Sequence, residues 1–294
     1  MVKLDDHLKN KGGKAIILGV IGNFCLAITK GAFGVLGNSS ALVADAVESM
    51  FDVVGSLVVY SGYKIALKPQ DEDHPYGHGK AEPLAVMFVA LLLLAAAFLL
   101  TIHSVEQILH PVSTPAVYTL YVFIAIILVK ELIFRYLSKF GRALDSNLLA
   151  AEAKHHRVDA LTSLAGLIGV GIAIIGGPKF AAADDLAALF AAMIIAYNAY
   201  QLFMPALAEV MDAAPSPHVE AEVRMVAAKV EGVLGLEKCF VRKVGLDYFV
   251  DLHVIVDGNL TVTTGHKIGH DVKDAIMSHN KNIRDVLVHI EPGE

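Results

Sequence analysis

The stretch from Ala41 to Glu82, ALVADAVESMFDVVGSLVVYSGYKIALKPQDEDHPYGHGKAE, passes from an apolar segment with three acids into a short loop crowded with Asp and His. Glu48 and Asp52 are four residues apart, so a helix projects both from one face about one turn from each other. Asp45 lies one turn earlier on nearly the same stripe. The segment is otherwise long and apolar enough to sit in a bilayer. An ionised carboxylate at membrane depth costs at least ~2.5 kcal/mol, so these acids are expected to face a cavity or a partner and to be functional. The stretch therefore predicts a transmembrane helix built around a cation site.

The rest of the chain supports a membrane setting. Of 294 residues, 55% are hydrophobic and only 18% charged, with a mean hydropathy of +0.57, too apolar for an ordinary soluble domain. Trp is absent, and the net charge of -6 leaves no basic surface, so nucleic acid is excluded as a partner. Two cysteines, Cys25 and Cys239, make neither a disulfide framework nor a CxxC metal site. Hydropathy places six spans of roughly 20 to 30 residues near 14–36, 41–67, 83–109, 116–138, 146–176 and 184–208. The apolar run after the charged N-terminus is too long for a signal peptide and is read as a retained first span.

Positive residues fix the expected orientation. Lys3, Lys9, Lys11, Lys14, Lys64, Lys68, Lys80, Arg135, Lys139 and Arg142 flank one side, and only Lys179 flanks the other. By the positive-inside rule both termini and the His-rich loop are cytoplasmic. After Met211 the spans stop. A helix opening at Ser216 or Pro217, strands over Cys239–Val244 and Tyr248–Val256, a second helix running to about His279 and a strand over Asp285–Ile290 give the order αββαβ. The expected architecture is an α-helical membrane domain, residues 1–210, followed by a cytoplasmic α+β domain, residues 211–294, with helices on one face of a small sheet.

In the fifth span, His155 and Asp159 repeat the four-residue spacing of Glu48 and Asp52. Two helices that each offer such a pair can surround one divalent cation with four N and O ligands, the tetrahedral set Zn²⁺ favours. The competing reading pairs these helix-end charges with Lys154 and Arg157. His156 points about 100° away and reads as a structural or supporting residue. The loop holds Asp71, Asp73, His74 and His78 within eight residues, either a looser metal site or a solvated acidic turn. In the C-terminal domain, His253 on one strand, His266 on a helix, and His289 and Glu291 on the last strand could meet around Zn²⁺ or a related ion. His218, His270 and His279 read as surface histidines. His103, Glu106, Lys130, Glu131, Asn23 and Lys30 read as interhelical ties or snorkelling ends.

Taken together, NSSALVADAVESMFD, DHPYGHGKAEP, HHRVDALTS and DVLVHIEP, set on six spans, resemble the cation diffusion facilitator family over nearly the whole chain. The resemblance implies a homodimer in the cell (inner) membrane that exports divalent metal from the cytoplasm in exchange for protons, with a ferredoxin-like, metallochaperone-like cytoplasmic domain. It places the transport site on Glu48, Asp52, His155 and Asp159, a loop site on Asp71, His74 and His78, and a cytoplasmic site on His253, His266, His289 and Glu291. Glu48 departs from the family's usual His, Asp or Asn, and Glu237 stands where the family has a further His. Lys80 and Asp212 match a charged pair that ties the spans to the soluble domain. Three carboxylates and one imidazole suit Zn²⁺ first, with Fe²⁺, Mn²⁺ and Cd²⁺ as alternatives, and the lack of thiolate argues against Cu(I). An enzyme is not expected: HExxH and a nucleophile elbow are missing, and four complete ligands leave no open metal position. A membrane metal sensor that binds without transporting is the alternative.

Overall fold

The computed structural model describes residues 21–110, 114–143, 147–245 and 247–293, with the side chains of 56, 140–143 and 147–155 outside that description. Lys3, Lys9, Lys11, Lys14, Pro111, the start of the expected first span, and the side chains of Arg142, Lys154 and His155 therefore lie outside the described residues. Six long helices lie among the described residues: α1 (Ile21–Leu36), α2 (Ser40–Ala66), α3 (Ala81–Leu109), α4 (Tyr118–Ala143), α5 (Asn147–Gly176) and α6 (Ala182–Val210). By length and composition α3, α6 and the His156–Phe180 stretch can each cross a membrane, and the described part of α1 is a shorter apolar helix. Ionisable residues interrupt the apolar runs of α2, at Asp45, Glu48 and Asp52, and of α4, at Lys130, Glu131 and Arg135.

Two compact units form. One contains the described residues through Leu57 together with Val89–Gln201, and the other contains Val58–Phe88 with the described residues from Leu202 onward. The core of the first joins Leu42 and Ala44 of α2, Phe123 and Ile126 of α4, Val170 of α5 and Ala188, Ala192 and Ile195 of α6. Small residues let helix backbones approach where lipid offers no hydrophobic drive for association. A Cβ on Gly169 of α5 would lie 2.8 Å from the Ala183 carbonyl oxygen of α6, closer than atoms tolerate. Gly169→Val is expected to force the two helices apart and to cost about 1–3 kcal/mol, read as a lowered thermal midpoint of the purified protein. Asp184, buried in the first turn of α6, accepts from Ser39 Oγ at 2.8 Å, Ser40 N at 2.5 Å and Ala41 N at 3.3 Å. It thereby caps α2 from another helix, meeting amides that have no partner within their own helix. Large side chains such as Leu99, Leu161 and Ile175 stay exposed on this unit, the surface a bilayer covers.

The second unit carries the αββαβ order as α7 (Pro217–Ala227), β1 (Gly235–Val244), β2 (Asp247–Asp257), α8 (Val262–His279) and β3 (Ile283–Gly293). The sheet order is β1-β2-β3, antiparallel between β1 and β2 and parallel between β2 and β3. A parallel pair needs a crossover, and α8 supplies it. Thr261 caps α8 by accepting from Thr264 N. Val250, Leu252, Val254 and Val256 on β2 alternate inward against Val272 and Ile276 of α8 and Val223 of α7. β1 starts four residues before the expected Cys239 because an irregularity between Leu236 and Cys239 breaks the alternation that marks a strand. β3 runs past the expected Ile290 through Pro292, which an edge strand tolerates.

The end of α6 is tied to the β1–β2 turn within this unit. Glu209 accepts from Lys243 Nζ and from Gly245 N, both at 2.9 Å. Lys80 donates to Asp212 Oδ1 at 2.8 Å and to the Val210 carbonyl oxygen at 3.1 Å. A Cβ on Gly79 would stand 2.6 Å from the Val244 carbonyl oxygen, so only glycine lets the loop after α2 approach the strand end so closely.

Candidate metal sites

The acids of α2 lie among buried charges from three other helices. Asp45 accepts from Lys30 Nζ of α1 at 2.9 Å and from Ser163 Oγ of α5 at 2.8 Å. Lys30 also donates to Ser49 Oγ at 2.8 Å. Lys130 Nζ of α4 stands 3.3 Å from Asp159 Oδ2 and 3.9 Å from Asp45 Oδ1. Lys30 and Lys130 are 0% and 1% exposed, so they are interhelical ties and do not snorkel to an interface. Glu48 and Asp52 are half-buried on α2, and Asp159 and His156 are buried on α5. Asp159, Asp45 and Asp52 all lie within electrostatic reach of Glu48, which brings carboxylates of α2 and α5 into one neighbourhood. Asp45 and Glu48, with Phe123, Thr162 and Gly166, line a cavity of about 10 Å³, room for about one water-sized occupant. His155 lies in α5, one turn before Asp159, with its side chain outside the described residues.

In the loop after α2, ligand atoms of Asp71, His74 and His78 all lie within 4.8 Å of one another. Asp71 Oδ1 accepts from His74 N at 2.7 Å and lies 3.0 Å from His74 Nδ1, and its Oδ2 is 3.4 Å from His78 Nε2. The hydrogen bond from the His74 ring is the main reason the Asp71 carboxyl sits below the usual carboxylate range. Asp73 is not part of this group.

On the three-stranded sheet, His253, His289 and Glu291 form a second group within 4.8 Å. His253 and His289 are register partners on parallel strands, with ring centroids 4.9 Å apart. Glu291 Oε1 lies 2.5 Å from His253 Nδ1 and 3.9 Å from His289 Nε2. Glu237 Oε2 of β1 is 4.0 Å from His253 Nδ1, which brings a second acid to the edge of the group. His266 stays apart from this group. Leu252 and Val254 face α8, so period-two alternation turns His253 to the opposite, open face of the sheet. His266 lies on α8 and its Nε2 meets His270 Nε2 at 3.1 Å, as i and i+4 residues of one helix do. Cys239 takes no part: burial pushes its thiol up to about 11, which keeps it protonated.

The His253 hydrogen bond holds the Glu291 carboxyl below its ordinary value of 4.5. A carboxyl depressed on folding contributes its contact above the ordinary pKa and loses it as the pH falls through the lower one. An NMR titration of the Glu291 carboxyl carbon is therefore expected to show a midpoint below 4.5, returning toward that value in His253→Ala. An ordinary midpoint in the wild-type protein would contradict the contact.

Residues 16–211 match the cation efflux transmembrane domain, and residues 215–293 match the cation efflux protein cytoplasmic domain. The chain is 30% identical over 283 residues to the manganese efflux system protein MneP of Bacillus subtilis (strain 168), covering 95% of each chain. It is 32% identical over 301 residues to Metal tolerance protein C1 of Arabidopsis thaliana, covering 96% of this chain and 63% of that one. With the magnetosome protein MamB of Magnetospira sp. (strain QH-2) it shares 34% identity over 264 residues, covering 90% and 89%. Two family domains in tandem, with a relative such as MneP aligned nearly end to end, place the chain in the cation efflux, or cation diffusion facilitator, family of integral-membrane divalent metal transporters.

Proposed function

We propose that the protein exports a divalent metal cation from the cytoplasm in exchange for protons, working as a homodimer in the cell membrane with both termini and the C-terminal domain cytoplasmic. Residues 1–210 form the transport domain and residues 211–294 the dimerising, metal-sensing domain. Glu48, Asp52, His155 and Asp159 hold the transported ion. The observation that carries this reading is the gathering of α2 and α5 carboxylates within an apolar helical unit, an arrangement that calls for a cation. Ligands bind metal only when deprotonated, so metal entry releases protons and their return on the other face expels the metal. His155 is the natural proton carrier, since an ordinary imidazole pKa of about 6.5 lies nearest physiological pH. Asp71, His74 and His78 form an accessory loop site. His253, His289 and Glu291 report cytoplasmic metal load.

Three carboxylates and one imidazole suit Zn²⁺, with Fe²⁺, Mn²⁺ and Cd²⁺ as close competitors. Mn²⁺ is the second reading: oxygen ligands favour it, and MneP bears a manganese efflux name. Uptake of Zn²⁺, Fe²⁺ and Mn²⁺ in parallel, in proteoliposomes under an imposed pH gradient, ranks the ions. Gradient-dependent accumulation of at least one is expected. Metal binding without flux for any ion would leave a sensor in place of a transporter.

A further inference from the structure

We infer that Lys130 is a tethered counter-cation of the transport site, its ammonium group held by Asp159 when no metal is bound and passed to Asp45 when the divalent cation takes Asp159. This rests on the transport reading of Glu48, Asp52, His155 and Asp159. Lys130 Nζ stands between two carboxylates, 3.3 Å from Asp159 and 3.9 Å from Asp45, and only Asp159 belongs to the ligand set. At 1% exposure it is shielded from bulk water. A buried ammonium must keep a carboxylate partner. Glu48, also within electrostatic reach of Lys130, is itself a metal ligand in the transport reading, so a metal taking Asp159 and Glu48 leaves Asp45 as the carboxylate that can hold it. The move to Asp45 is short, because the two oxygens already flank one nitrogen. Asp45 is prepared to receive it: Lys30 and Ser163 hold its carboxylate in place from α1 and α5.

Charge counting agrees. Counted formally, the carboxylates of Asp45, Glu48, Asp52 and Asp159 exceed the ammonium groups of Lys30 and Lys130 by two charges, the charge of one divalent cation. Competition by the tethered ammonium loosens metal binding and eases release. Tighter ground-state binding without matching stabilisation of the transport barrier slows turnover. Lys130 is thus a positioning residue that sets affinity, while Lys30, hydrogen-bonded to Asp45 and Ser49, stays a fixed tie.

The test combines kinetics with spectroscopy on the full-length protein, using Zn²⁺ and Mn²⁺ as probes. Lys130→Met is expected to lower KM for metal flux about 10-fold and to lower kcat by a similar factor. Lys130→Arg, which keeps the charge, is expected to stay nearer the wild type in both. A folded Lys130→Met with KM unchanged would overturn the inference, since a purely structural tie moves kcat or yield without tightening the metal. Should that variant fail to fold, the wild-type protein still decides. With ¹³Cε-labelled lysine, the resonance missing in Lys130→Arg is expected to shift on metal saturation and to stay put in Asp52→Ala. Metal bound at the Asp52-dependent site with that resonance unmoved overturns the inference alone. Absence of any Asp52-dependent binding overturns it together with the transport reading.

Discussion

Asp52→Ala is expected to reduce metal flux at least 100-fold in proteoliposomes while the protein still folds and inserts. Asp52 lies on α2 one turn after Glu48, half-buried beside a charge cluster that α1, α4 and α5 share. Removing a residue that merely supports a metal ligand already costs about 10–100-fold in affinity or activity, and removing a ligand costs at least as much. Truncating Asp52 also takes away a carboxylate from a region rich in like charge, which relieves repulsion, so the fold survives and the loss falls on transport. Flux within about threefold of the wild type would remove Asp52 from the site. Glu48→Asp is the finer probe: it keeps the charge and shortens the arm, so it should shift the ranking among Zn²⁺, Fe²⁺ and Mn²⁺ more than it lowers total flux.

The second large effect falls on stability. Asp45→Ala should destabilise the protein by about 3–5 kcal/mol, the scale for removing one partner of a buried pair and leaving its charge uncompensated. Lys30 would keep only Ser49 Oγ and the Asp45 backbone oxygen, the latter at 3.5 Å, and Lys130 would lose its second carboxylate. Low yield and a depressed thermal midpoint are the expected readouts. Lys30→Met in the same chain should restore much of the loss, because an apolar side chain of similar length needs no partner. An Asp45→Ala protein as stable as the wild type would show that these lysines reach other partners. The double substitution separates this structural role of Asp45 from metal binding, since rescue of folding need not rescue flux.

Much of this was legible in the chain. Long apolar runs, Leu-rich in α3 and Ala-rich in α6, announce both helices because a span needs only length and low charge, and the alternation Val250, Leu252, Val254, Val256 fixes which face of β2 is buried. That same alternation places His253 on the open face, away from α8, and so by itself separates His253 from His266. Spacing also grouped Asp71, His74 and His78, though together with Asp73, which stays outside the cluster because sequence proximity in a loop does not fix which way a side chain turns. What the chain did not announce is pairing between helices. Nothing local to Lys30, Lys130 or Asp45 says that they meet, since their separations of 15 residues and more are set by packing and not by periodicity. The one available signal was cost: two lysines within apolar runs demand carboxylates, and Asp45 was the acid on the α2 stripe left without an assigned role. The early start of β1 was hidden for a different reason, a bulge that interrupts the period-two pattern.

The most direct measurement follows metal uptake and lumenal pH in the same proteoliposomes, wild type beside Asp52→Ala, with no imposed gradient at the start. The account predicts that metal moving one way drives protons the other, and that both signals vanish together in the variant. Metal accumulation with no opposing proton movement, or equal uptake by Asp52→Ala, would contradict it.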